Sequence, residues 1–136
     1  MAKTRTIAQE VEKVAVRLQL LRRMEDADSE GYGNCISCGK NLHYKEGNGG
    51  HYKSRGKVAT KLDERNINLQ CVSCNAGPDG ETGRKYAAAL DRKYGAGTAD
   101  DIESLSRFSR KYTRGELMAL LVDINQRIKE QEERLT

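Results

Sequence analysis

Tryptophan is absent from this 136-residue chain, phenylalanine and proline occur once each, and aromatic residues make up only 5% of it. With so few large apolar side chains a conventional hydrophobic core is thin for this length, so something other than apolar packing is expected to help hold the middle together. The length suits one domain with helical extensions, and a second large domain is not expected. No apolar run approaches the length of a membrane span, and the opening "MAKTRTIAQEVEKV" lacks the hydrophobic region of a signal peptide. A soluble, cytoplasmic protein without a membrane partner is therefore expected. Low-complexity tracts and internal repeats are also missing, apart from one doubled cysteine motif.

Charge, in contrast, is abundant: 32% of the residues are charged and the formal net charge is +4. The excess is local. Residues 1–38 hold six basic and six acidic groups, residues 39–93 hold eleven and six, and residues 94–136 hold seven and eight. Within the middle segment "HYKSRGKVATK" carries Lys53, Arg55, Lys57 and Lys61 with no acid before Asp63. Such a stripe suits a polyanion, most often nucleic acid, although a solvated loop would look the same by charge alone.

Along the chain, Ile7, Val11, Val14, Leu18 and Leu21 recur at helical spacing and predict an amphipathic helix to about Met24. "EDADSEGYGN" breaks it. From Cys35 to Cys74, glycines and short apolar pieces favour turns and brief strands. "NAGPDGETG" reads as a loop, followed by a helix over "RKYAAALDRKYG" that Gly95 stops. Thr98 is placed to cap a helix over "ADDIESLSRFSR". Thr113 and Glu116 form a capping box for a last helix whose Leu117, Leu120, Leu121, Ile124 and Ile128 share a face. That face could meet the first helix or a second copy of itself. The expected organisation is an N-terminal helix and linker over 1–30, a central unit over 31–95 and a helical extension over 96–136.

Cys35-Ile-Ser-Cys38 and Cys71-Val-Ser-Cys74 share a two-residue spacing that lets the thiolates of each pair approach one tetrahedral ion. Two such pairs in a reducing compartment predict a structural zinc site rather than disulfides. Gly39 suits the tight turn after the first pair. A closed four-sulfur site does no chemistry itself; it supplies folding energy to a chain with a poor core.

Around this knuckle stand three more residues in order: His51 in "GGHYKSRG", Asn66 five positions before Cys71, and Asn75 directly after Cys74. Phosphodiester hydrolysis needs a base for water, a cation to offset charge on the phosphate and leaving oxygen, and positive groups to hold the strand. A neutral imidazole at His51 is a suitable base. Asn75 offers a hard, neutral amide oxygen that suits Mg²⁺ or Mn²⁺ better than zinc.

In this pattern residues 35–75 resemble the HNH, or His-Me finger, endonucleases, in the zinc-knuckle form seen in phage recombination endonuclease VII. A closer likeness, over roughly residues 35–95, is to the phage lambda NinG family, also called Rap, through "CISCGK", "GHYKSRG", "LDERNINLQCVSCN" and "RKYAAALDRKYG". The resemblance implies an α+β fold: a small zinc-knuckle treble-clef (ββα-metal) HNH core flanked by N- and C-terminal α-helices. It further implies a nuclease that nicks branched recombination intermediates such as displacement loops and Holliday junctions. His51 would be general base, Asn75 a ligand of the catalytic metal, and Asn66 the middle residue, bonding backbone so that its loop presents His51. Asn68 is the alternative for that middle place.

One departure is plain. Many HNH enzymes carry an acid just before the histidine as another metal ligand, and here that position is Gly50. The metal must then rely on Asn75, phosphate oxygens, waters and at most one more carboxylate or backbone carbonyl. Asp63 and Glu64 are the nearest acids, but they serve equally well as partners of Lys61 and Arg65. Tyr52, Lys53, Arg55, Lys57, Arg84 and Lys85 are candidate DNA contacts, and Arg92 and Lys93 could extend a basic ridge along the same helix. His43 is either an auxiliary proton carrier or a hairpin surface residue. The expected partners are branched DNA, read by shape more than sequence, a recombinase, and a second copy of the chain, in a bacterial host cytoplasm. A noncatalytic zinc module that binds nucleic acid or a recombination protein fits the same composition.

Overall fold

The structure, a computed structural model, describes residues 4–77 and 79–135, and for 79–82 the backbone alone. Thr6 opens the first helix, α1 (Ile7–Glu25), with a capping box: its hydroxyl accepts from the Gln9 N–H while the Gln9 side chain accepts from the Thr6 N–H. A hairpin follows, β1 (Tyr32–Asn34) and β2 (Asn41–His43), paired antiparallel with Gly33 opposite Leu42. After a 3-10 turn at Tyr44–Glu46 come β3 (Asn48–His51), the short α2 (Val58–Lys61), a second 3-10 turn at Glu64–Asn66 and β4 (Ile67–Gln70). β3 and β4 form a second antiparallel pair in which Gly50 faces Asn68 and His51 faces Ile67. The chain ends in four helices: α3 (Val72–Ala76), α4 (Asp79–Tyr94), α5 (Thr98–Ser106) and α6 (Arg114–Arg134). The class is thus α+β, with two small antiparallel sheets among helices.

The expected helical faces find each other. Val11, Val14, Leu18 and Leu21 of α1 pack with Leu117, Ile124 and Ile128 of α6, and Ile67 of β4 joins them. Each such side chain contributes about 1.5–3 kcal/mol on burial, so aliphatic packing supplies the core that aromatic residues do not. Within the chain, the apolar face of α6 packs on α1. Polar groups fix the register: Arg127 bridges Glu25 and Glu64, and Arg134 donates to the carbonyls of Met24 and Ala27 at the end of α1. Val16, Met118 and Val122 stay exposed on the two helices.

Some boundaries differ from the sequence reading. Asn75 and Ala76 belong to α3, and α4 starts at Asp79, so little of the "NAGPDGETG" loop remains; its Pro78 lies outside the described residues. The reason lies in α3, whose N-terminus is held by the Cys71 sulfur accepting from the Cys74 N–H at 3.4 Å. Thr98 does not cap α5. It is the first helical residue, its hydroxyl donates to the Gly95 carbonyl, and the Asp91 carboxylate of α4 accepts from the Ala99 N–H instead. α5 also ends at Ser106, earlier than expected. The Thr113–Glu116 capping box of α6 forms in both directions. No helix among the described residues is long and apolar enough to cross a membrane.

Candidate active site and metal centre

Cys35 directly follows β1, Cys38 comes one tight turn later, and Cys71 and Cys74 sit at the start of α3. The Gly39 N–H closes the turn onto the Cys35 carbonyl, and Gly39 takes φ +79°, a conformation that favours glycine. All four sulfurs lie within 4.8 Å of one another, and Cys38 Sγ is 3.8 Å from Cys71 Sγ. A tetrahedral zinc with Zn–S bonds near 2.3 Å separates its sulfurs by about 3.8 Å, so this cluster fits the ion. Burial raises the Cys35 thiol, but N–H groups of Cys38, Cys71 and Ser37 aimed at its sulfur outweigh that and bring it down to about 7. Burial and neighbouring sulfurs push the Cys74 thiol up. As thiolates the four could hold one divalent cation, which would offset their mutual repulsion.

β3 runs from the knuckle side toward His51 under close packing. A Cβ on Gly49 would come within 2.8 Å of the Gln19 backbone of α1, so only glycine lets the helix lie on this strand. At the strand's end His51 is half-buried, with Nε2 at 3.0 Å from the Lys61 carbonyl. Burial depresses its pKa; the Lys61 carbonyl counters this and the Lys61 charge adds to it. The imidazole is therefore neutral near pH 7.

Asn66 is fully buried and bonded at every polar position except one amide-oxygen lone pair. Its oxygen accepts from the Lys53 N–H at 2.7 Å, and its nitrogen donates to the carbonyls of Lys53 and Thr60 at 3.1 and 3.0 Å. These bonds hold the loop that leaves His51. Asn68 points elsewhere. It accepts from Lys93 and Tyr94 of α4 and donates to the Arg65 carbonyl and to Tyr86. Of the two asparagines, Asn66 is the one that ties down the segment after His51.

Asn75 is exposed on α3, and it lines two adjoining clefts together with His51 and Tyr52. One of these clefts also receives Gln70, Cys74 and Tyr86; the other receives Ser54 and Arg55. A neighbouring cleft is lined by Tyr52, Lys53, Lys57 and Arg84, so α4 and the loop after His51 face one space. Lys57 and Arg84 make no ion pair among the described residues.

The other candidates separate. Lys53 pairs with Glu103 at 3.6 Å and lies over the Tyr52 ring, and Tyr52 packs on Tyr86. Arg55 pairs with Glu12 of α1, which also holds Lys61 at 2.6 Å. Lys85 is exposed on α4. Lys93 is not part of an outward ridge: its ammonium is shared between Asp26 and Asn68, both at 2.7 Å. Arg92 faces another cleft beside Asn34 and Cys35. Asp63 binds Arg65, whereas Glu64 binds Arg127 of α6, and neither lines the His51 clefts. His43 accepts from the Lys45 N–H and stacks on Tyr44 at the hairpin end, away from these clefts.

Sequence reasoning missed Tyr86. Inside "RKYAAALDRKYG" it reads as one more helical residue, yet its hydroxyl donates to the Gly50 carbonyl at 2.6 Å and accepts from Asn68, bracing the strand next to His51. Only the docking of α4 on β3 and β4 reveals this role, and no local pattern encodes it.

The sequence profile of a family described as Bacteriophage Lambda NinG protein matches residues 7–134. Individual relatives agree. The ninG proteins of Salmonella phage P22, Escherichia phage 933W and Escherichia phage lambda are 34%, 33% and 32% identical over 97 residues, which is 71% of this chain. Those 97 residues cover 46%, 47% and 46% of the relatives, so the chain spans about half the length of the curated relatives it matches. No solved structure matches the chain. With its profile running from α1 into the last turns of α6, the chain belongs to the phage NinG family.

Proposed function

We propose that this protein is a metal-dependent DNA endonuclease of the HNH type, hydrolysing phosphodiester bonds in branched recombination intermediates. The observation that carries the reading is the meeting of His51 and Asn75 in the same clefts, with the unpaired cations Lys57 and Arg84 next to them. β3, β4 and α3 have the order that a ββα-metal unit requires, and the four-cysteine cluster anchors the start of α3.

Each residue then has a defined task. His51 donates Nε2–H to the Lys61 carbonyl, which leaves Nδ1 as a bare lone pair. That nitrogen takes a proton from water as the water oxygen bonds to phosphorus and the bond to the 3′ oxygen breaks. Asn66 keeps the loop after His51 in place through the Lys53 and Thr60 backbone. Asn75 would hold Mg²⁺ or Mn²⁺ through its amide oxygen; such an ion offsets charge on the phosphate and the leaving oxygen. Tyr52, Lys53, Arg55, Lys57, Arg84 and Lys85 are the surface offered to the strand, with Lys57 and Arg84 least occupied by other partners. A recombinase and a second copy of the chain are the further partners that the family resemblance suggests.

The test is a nicking assay on labelled four-way junction, displacement-loop and linear duplex DNA with Mg²⁺ or Mn²⁺. It compares the native chain with His51→Ala and Asn75→Ala, each shown to retain zinc and fold. Cutting by the native chain alone, with DNA binding kept in the variants, supports the reading. Equal binding by all three with no cutting under either metal would leave a noncatalytic zinc module.

A further inference from the structure

The missing acid at position 50 has a structural cause. A Cβ on Gly50 would run into the side chain of Gln70, meeting the amide oxygen first and lying 2.8 Å from its carbonyl carbon Cδ. The space that an aspartate at position 50 would need is thus taken by an amide from the facing strand. Gln70 is only 4% exposed, but it reaches the wall of the cleft that His51 and Asn75 share. Its amide is also oriented. Nε2 donates to the Ser37 hydroxyl of the knuckle turn at 2.9 Å, so Oε1 is the end directed at Gly50, and that oxygen takes no hydrogen bond among the described residues.

We propose that Gln70 replaces the absent acid, its Oε1 acting beside the Asn75 amide as a ligand of the catalytic Mg²⁺ or Mn²⁺. This rests on the nuclease reading above. The chemistry is consistent with the burial: an amide oxygen is a hard donor for these ions, and it avoids the cost of placing an unpaired carboxylate in the strand pair. Two neutral amides bind a divalent ion weakly, with waters completing the shell in the free protein and phosphate oxygens replacing some of them when DNA is present. Ser37 then has a role of its own, holding the Gln70 amide in the ligating orientation from a turn that zinc makes rigid.

The experiment is a Mn²⁺ titration of the zinc-loaded full chain, following paramagnetic broadening of the side-chain amide resonances of Gln70 and Asn75 by NMR. The two amides should broaden together and before other side-chain amides. Gln70→Ala should move broadening at Asn75 to at least about tenfold higher Mn²⁺. Gln70→Glu, which keeps the shape and adds a charge, should move it to lower Mn²⁺ and guards against a trivial folding defect in the alanine variant. Unchanged broadening at Asn75 in Gln70→Ala would overturn the ligand role of Gln70 while leaving the metal site at Asn75 standing. If neither amide responds in the native chain, the proposal and the metal-dependent reading fall together.

Discussion

The Lys61 carbonyl lies 3.0 Å from Nε2 of His51 and thereby decides which imidazole nitrogen carries the proton. A carbonyl oxygen only accepts, so the neutral ring is the Nε2–H tautomer and Nδ1 is the basic end. Lys61 is itself held by Glu12 of α1, so the first helix contributes to the setting of a residue on β3.

From this follows a pH dependence. Because burial holds the His51 pKa below its ordinary value, the imidazole stays neutral to a lower pH than a free histidine does. The single-turnover nicking rate should rise with pH through a value lower than that of a free histidine and be flat by neutral pH. His51→Ala should lower the plateau by about 10²–10⁴. Stability carries the same sign. The unfolded chain takes up the proton first, so the thermal midpoint should fall as pH drops from the ordinary imidazole pKa toward the folded one. A midpoint slope unchanged in His51→Ala would show that His51 is not its source.

Removing the metal should cost the fold as well as activity. Structural zinc sites supply about 10–16 kcal/mol of apparent binding energy in small peptides, as much as the whole stability of an ordinary domain. Chelation should therefore lower the melting midpoint by at least about 15 °C, and Cys35→Ser should reproduce the effect without chelator. The α1–α6 pair does not touch the knuckle sulfurs, so part of the helical circular-dichroism signal should survive. A melt unaffected by complete zinc removal would refute the structural role.

Asn66 separates positioning from chemistry. Asn66→Ala leaves the Lys53 N–H and the Thr60 carbonyl without their buried partner, at a cost of about 1–3 kcal/mol for each group left unsatisfied. The affected segment follows directly on His51 and also carries Lys53, Arg55 and Lys57, while Arg84 keeps its place on α4, so both quantities should fall and the maximal rate should fall more than DNA affinity. Asn66→Asp should be worse in stability, since a carboxylate cannot donate to the two carbonyls. Equal losses in rate and affinity would count against the positioning role.

How much of this was legible in the sequence differs from residue to residue. The helical faces of α1 and α6 and the Thr113–Glu116 box are local patterns, and they appear as read. The cysteine cluster was legible because ligands suited to one tetrahedral ion recur at a fixed short spacing, and the four sulfurs do come together. Gln70 and Tyr86 were not, because their roles arise from strand register and helix docking, which pair positions far apart in the chain. Glu64 illustrates the same limit: two basic neighbours in sequence were open to it, and the structure gives it Arg127 from the last helix.

Lys93 and Arg84 lie on one helix, and the structure gives them opposite tasks. Lys93 bridges Asp26 and Asn68, while Asp26 in turn accepts from the Leu69 N–H of β4, so the lysine joins α4 to the end of α1 and to β4. Lys93→Met should lower stability by about 1–2 kcal/mol, read as a melting midpoint several degrees lower, with DNA affinity unchanged. Arg84 has no such internal partner among the described residues and opens onto the cleft with Lys57. Arg84→Ala should leave the melt unchanged, weaken DNA binding and reduce the salt-dependence slope by about 1. Measured side by side, the two variants distinguish a brace from a phosphate contact. If Lys93→Met lost DNA affinity and salt slope as Arg84→Ala does, α4 would present a continuous basic ridge after all, and the bond to Asn68 would have to open when DNA binds.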